Sequence, residues 1–135
     1  MPTRPRVLLA DDHPGVLKAL KRVLSLDCDV VGVVVDGRHV AEAVARLQPV
    51  VPVVDLHLPH VNGLEVCRRI LATNSRAKVI LISALFDDRI RTEALAAGAS
   101  NFLPKQSVNE LINVIRGAWA EYSVTAQSVQ IDNNR

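Results

Sequence analysis

Short apolar runs alternate along the chain with longer stretches in which apolar residues recur every three or four positions. The runs are Val7–Ala10, Val30–Val35, Val50–Val54, Val79–Ile82 and a weaker one at Asn101–Leu103. Four of them are rich in β-branched residues and are continuously apolar rather than alternating. That is the pattern of strands covered on both faces, and hence of a parallel sheet.

The intervening stretches read as amphipathic helices. Their apolar positions are Val16, Leu17, Leu20, Val23 and Leu24; then Val40, Ala43, Val44 and Leu47; then Leu64, Val66, Cys67, Ile70 and Leu71. Ile90, Ala94, Leu95 and Ala97 follow, and Leu111, Ile112, Val114, Ile115, Ala118 and Trp119 come last. Asp12 with Pro14 just inside reads as a helix start. Asn62 with Glu65, and Ser107 with Glu110, resemble capping boxes. Gly98 after Ala97 reads as a helix stop.

Five βα units in a row predict an α/β fold, a doubly wound five-stranded parallel sheet with helices on both faces. The unit occupies residues 5–122 without a linker or internal repeat. Residues 123–135 read as a polar C-terminal tail that frays, or as a linker to an absent output domain. Pro52 conflicts with the pattern, because proline cannot donate to a ladder and is normally excluded from a central strand. Either the third strand starts at Val53 or a distortion absorbs Pro52.

Composition narrows the class. The 135 residues suffice for one domain with a core of its own. Apolar residues make up 49% and aromatics 3%, so the chain is globular and its core is aliphatic. A net charge of +2 is too weak to imply nucleic acid, and the basic pair Arg4 and Arg6 is too short for a binding arm. Cys28 and Cys67 do not form a disulfide framework and read as reduced, buried residues. No run can span a bilayer and no signal peptide is evident, so a cytoplasmic location and no membrane partner are expected.

In an open parallel sheet, ligands bind beyond the carboxyl ends of the strands. The residues there are Asp11 and Asp12 after the first strand, Asp55 after the third, Ser83 after the fourth and Lys105 beyond the fifth. Three close carboxylates need a counter-charge, and Mg2+ suits such a set of oxygen ligands. Lys105 offers a point charge to a phosphoryl oxygen and Ser83 a hydrogen bond. Asp55 would be the nucleophile. Taken singly, Asp11 and Asp12 could be a helix cap, Ser83 a strand-end hydroxyl and Lys105 a solvated charge. An acid directly after four apolar strand residues has no packing role, and the conjunction at four strand ends favours chemistry.

These residues also carry a resemblance. Val7-Leu-Leu-Ala-Asp-Asp-His-Pro14, Val53-Val-Asp-Leu-His-Leu-Pro59 with Asn62-Gly-Leu-Glu65, Ile80-Leu-Ile-Ser-Ala84 and Gly98-Ala-Ser-Asn-Phe-Leu-Pro-Lys105 together resemble the receiver domains of response regulators in two-component systems. The resemblance implies a flavodoxin-like sheet of order 2-1-3-4-5 and a phosphoacceptor, not an enzyme with turnover. It implies phosphorylation of Asp55 by a sensor histidine kinase or a small phosphodonor. Mg2+ would lie on Asp11, Asp12, Asp55 and the backbone carbonyl of His57. Ser83 and Lys105 would hold the phosphoryl group. Ser83 and Phe102 would form a switch, with Phe102 turning inward and changing the surface of helix four, strand five and helix five. That surface, or helices one and five, could carry a homodimer.

The opening and closing motifs look most like response regulators with a C-terminal helix-turn-helix domain, so DNA would be reached only through an output domain absent here. A free-standing receiver acting through protein partners is the alternative. The departures are Pro52, Asn101 where glycine is common, and His57, which could tune the lifetime of the phosphoryl group. His57 and His60 make a poor zinc pair, because a structural zinc site needs four ligands.

Overall fold

The computed structural model describes residues 4–133, with side chains described through residue 124. Strands β1 (Arg6–Ala10), β2 (Asp29–Val34), β3 (Val51–Asp55), β4 (Ile80–Ser83) and β5 (Asn101–Pro104) alternate with helices α1 (Pro14–Leu24), α2 (Val40–Leu47), α3 (Gly63–Thr73), α4 (Asp88–Ala96) and α5 (Val108–Asn133). A short 3-10 turn, Gly37–His39, precedes α2. The strands form one parallel sheet, as the run of βα units predicts, in the order β2-β1-β3-β4-β5 that the resemblance implies.

Side chains alternate between the two faces of each strand. Leu8, Ala10, Val54, Leu81 and Phe102 pack with Val40, Val44, Val66, Ile70 and Ala94 of α2, α3 and α4. Val7, Leu9, Val51, Val53, Ile80, Ile82 and Leu103 pack with Leu17, Leu20, Leu24, Leu111 and Ile115 of α1 and α5. The connection from β1 to β2 and those from β2 onward therefore lie on opposite faces. The reversal falls between β1 and β3, where a cleft opens beyond the strand ends.

Pro52 lies inside β3, paired with Leu8 in an unbroken register, so neither late start nor distortion occurs. The reason is geometric. Leu56 N–H donates to Ile82 at 2.9 Å, so by two-residue alternation the N–H positions of Val54 and Pro52 face β4 as well. The β3–β4 pairing begins only at Val53 opposite Ile80. The chain before β4 already runs alongside, with Lys78 N–H donating to the Val50 carbonyl at 3.0 Å, so Pro52 forgoes one bond, to Lys78, at the very start of the β3–β4 ladder.

Other differences have local causes. The cap of α1 is His13, whose Nδ1 accepts from Val16 N–H at 3.1 Å, rather than Asp12. Proline at the first helical position leaves the residue before it as the cap. Strand β2 is an edge strand, so Val33 and Val35 are exposed despite its apolar run. Leu95 of α4 is also exposed. Asn101 keeps ordinary backbone angles, and its side chain accepts from Phe102 N–H at 2.8 Å. Helix α5 continues past residue 122, where the sequence reads as a fraying polar tail, to Asn133; residues 134 and 135 lie outside the described residues. Residues 123–133 contain neither Gly nor Pro, so nothing in them stops a helix.

The Asn62 cap and the Gly98 stop are as read. Asn62 Oδ1 accepts from Glu65 N–H at 3.0 Å. Gly98 has φ 101°, with Gly98 N–H bonded to Leu95 and Ala99 N–H to Ala94, the paired bonds of a Schellman end.

Candidate functional site

The strand ends deliver the expected residues to one place. Asp11 directly follows β1, Asp55 ends β3, Ser83 ends β4 and Lys105 directly follows β5. Asp11 and Asp55 are 1% and 2% exposed, whereas Asp12 is exposed. Oxygens of all three carboxylates lie within 4.8 Å of one another. Lys105 Nζ bridges the buried pair, 2.8 Å from Asp11 Oδ2 and 3.0 Å from Asp55 Oδ2.

The backbone fixes these positions. Lys105 N–H donates to the Ser83 carbonyl at 3.0 Å, which holds the start of the β5–α5 loop against the end of β4. The remaining carboxylate oxygens cap the loops that follow. Asp11 Oδ1 accepts from His13 N–H at 2.8 Å, and Asp55 Oδ1 from His57 N–H at 3.2 Å. Burial alone would lower the pKa of Lys105, but its close polar contacts with Asp11 and Asp55 and their negative charges outweigh that, leaving it raised.

This donor set fits a hard divalent cation. Every candidate ligand is a carboxylate oxygen. Three carboxylates against one ammonium leave two negative charges in a mostly buried cleft. Asp11 Oδ2, although ion-paired with Lys105, makes no well-aligned hydrogen bond and keeps lone-pair capacity for a metal.

Ser83 is fully buried, and its Oγ accepts from Leu85 N–H at 3.0 Å. A hydroxyl that accepts in this way still has its own proton to donate. Phe102 is already 1% exposed and belongs to the core, so in this conformation the inward turn expected of it has no outward starting point. What covers it is Phe86, a ring absent from the sequence reading. The two rings are stacked with centroids 5.2 Å apart and planes 8° from parallel. Phe86 sits in the β4–α4 loop, where no periodicity marks it.

Among the described residues His57 and His60 belong to no group of three or more metal-ligating side chains. His60 Nδ1 lies 2.8 Å from Asp36 Oδ2, in a contact between the β2–α2 and β3–α3 loops. Its near-left-handed φ of 69° is one of two such values among the described non-glycine residues. No helix among the described residues is long and apolar enough to cross a membrane.

Known proteins share this arrangement. The family model for the response regulator receiver domain matches residues 7–116. A protein-glutamate methylesterase/protein-glutamine glutaminase of Nocardioides sp. is 38% identical over 104 residues, 74% of this chain and 28% of that protein. The response regulator MprA of Mycobacterium leprae is 36% identical over 112 residues, 82% of this chain and 49% of that protein. The chain thus spans half or less of these curated relatives. The solved signal receiver domain of the response regulator NarL from Mycobacterium tuberculosis superposes with a TM-score of 0.79 at 33% identity, covering 87% of this chain and 98% of that one. The matched residues 7–116 take in β1 from its second residue, the other four strands and every strand-end residue of the acidic cleft, and by that match the chain belongs to the response regulator receiver domain family.

Proposed function

We propose that this domain receives a phosphoryl group on Asp55 from the phosphohistidine of a sensor kinase, or from a small phosphodonor, with Mg2+ held by Asp11, Asp12, Asp55 and the backbone carbonyl of His57. The observation that carries the reading is Lys105, whose ammonium spans the buried carboxylates of Asp11 and Asp55 at 2.8 and 3.0 Å. Two buried carboxylates sharing one lysine have no packing role, and with a divalent cation added the set suits an anionic group.

The chemistry is a displacement at phosphorus. A carboxylate oxygen of Asp55 forms the new P–O bond while the bond from phosphorus to the donor breaks, and the donor leaves with its electron pair. Bound Mg2+ supplies positive charge to the phosphoryl oxygens. Lys105 supplies a second charge, and Ser83 donates its hydroxyl proton to a third oxygen. The product is an acyl phosphate, one per chain, without turnover of a general substrate.

The added charge at Asp55 then biases the packing of the Ser83–Phe86 loop against Phe102, and so the surface of α4, β5 and α5. The curated relatives are longer proteins of differing output, a methylesterase and a response regulator among them. We read this domain as the input half of such a protein, located in the cytoplasm with its kinase. Control of transcription through a DNA-binding output domain remains the first reading of its sequence motifs.

Incubation with acetyl phosphate and Mg2+, followed by intact mass, tests the assignment. One phosphoryl adduct is expected, absent with chelator and absent in Asp55→Asn. Equal uptake by Asp55→Asn would remove Asp55 from the role.

A further inference from the structure

The carbonyl of His57 belongs to the backbone, so only the conformation of its loop can aim it. That loop, residues 56–62, is tied at its base by Gly63 N–H to the Leu56 carbonyl at 2.8 Å. Its tip is tied to the β2–α2 loop twice. Gly37 N–H donates to the Pro59 carbonyl at 3.1 Å, and His60 Nδ1 meets Asp36 Oδ2 at 2.8 Å.

Asp36 is itself held rigidly. Arg38 gives it a backbone N–H at 2.8 Å to Oδ1 and a guanidinium fork reaching both oxygens. Those bonds hold its carboxyl well below the usual carboxylate range. The loops touch backbone to backbone, because a Cβ on Gly37 would meet the Val61 carbonyl oxygen at 1.9 Å. His60 accepts a φ of 69°, a conformation that persists in a non-glycine residue only where the surroundings impose it.

We propose that His60 and Asp36 are positioning residues for the metal half of the site, their 2.8 Å polar contact fixing the loop that presents the His57 carbonyl to Mg2+. This rests on the phosphoacceptor reading above. It assigns a purpose to a pair that lies outside the acidic cleft and that neither the sequence motifs nor the packing of the core calls for.

Two substitutions separate the side-chain contact from the backbone angle. His60→Gly tolerates the positive φ and loses the donor, while His60→Asn tolerates it and keeps an N–H donor. Mg2+ is titrated into each metal-free full chain while the amide resonances of Asp55 and His57 are followed. A second-sphere role predicts a Mg2+ dissociation constant about tenfold higher in His60→Gly. His60→Asn should fall within about twofold of wild type, and both should melt within a few degrees of it. At saturating Mg2+ the rate of phosphoryl uptake should match wild type in both, a split that general loosening of the fold would not give. Wild-type Mg2+ affinity in His60→Gly, or equal losses in the two variants, overturns the proposal while leaving the phosphoacceptor reading intact. Failure of the wild-type chain to bind Mg2+ overturns both.

Discussion

The ring of Phe86 lies flat on that of Phe102, with centroids 5.2 Å apart and planes 8° from parallel. Phe86 is 43% exposed and Phe102 only 1%, so the outer ring shields the inner one from water. Stacked aromatic pairs contribute about 0.5–1.5 kcal/mol beyond the area they bury. A double-mutant cycle of Phe86→Leu and Phe102→Leu in urea should return a coupling of that size. A coupling indistinguishable from zero would mean that the rings are neighbours without mutual stabilisation.

The acidic cleft should weaken the metal-free fold. Three carboxylates within 4.8 Å face one ammonium, and like charges at this range repel. In chelator, Asp55→Asn is expected to be more stable than wild type by about 1 kcal/mol, a rise of roughly 2–6 °C in melting temperature. Mg2+ at about 100 times its dissociation constant should stabilise wild type by about 2.7 kcal/mol and the variant by less. Thermal melts with and without Mg2+ decide it; a lower melting point for Asp55→Asn in chelator contradicts the repulsion.

Stability should decline on the alkaline side in two steps. Burial pushes the Cys67 thiol from 9.0 up to about 11, so the folded state keeps a proton that the unfolded state releases. Stability from this group is complete below pH 9.0 and is lost as pH rises toward about 11, by roughly 2 kcal/mol in all. Lys105, also raised, holds its proton in the folded state above its ordinary 10.5, so a second loss begins there. Urea unfolding from pH 8 to 11 should show both, and Cys67→Ala should reduce the first, with Cys28, whose thiol burial also pushes up, supplying what is left. A wild-type profile rising above pH 9 has the wrong sign for either group.

Gly37→Ala should be among the most harmful single-methyl additions in the chain. The new Cβ would stand 1.9 Å from the Val61 carbonyl oxygen, a backbone atom that cannot rotate away. Forcing the loops apart should cost at least about 2 kcal/mol. Equilibrium unfolding measures it, with Gly117→Ala as the control because open space surrounds that position. Comparable losses in the two would show that helix or loop propensity, not the close approach, sets the cost.

Much of this was legible in the residues because the sheet and the site are built from local signals. Continuous β-branched runs fixed which segments lie inside the sheet, and reading the residue after each run was enough to find Asp11, Asp55, Ser83 and Lys105. The edge position of β2 came from the strand order that the resemblance implies and not from its residues, since Val30–Val35 looks as buried as any inner strand. Pro52 seemed to contradict β3 because the sequence does not tell which neighbour each N–H faces. Phe86 and the Asp36–His60 pair were invisible for another reason. Each joins two loops or a loop and a strand, at separations no periodicity marks, and each member looks alone like an ordinary surface residue.

The hydroxyl of Ser83 uses a lone pair to hold Leu85 N–H and keeps its proton uncommitted. The two attachments are therefore chemically independent, and on the proposed reading one can be made without breaking the other. A phosphoryl oxygen that draws the Ser83 side chain toward Asp55 would draw Leu85 with it, and the next residue along is Phe86. The loop would behave as a lever with Ser83 at its short arm and an aromatic ring at its long one. Small displacements in the cleft would then be magnified where Phe86 leaves or covers Phe102.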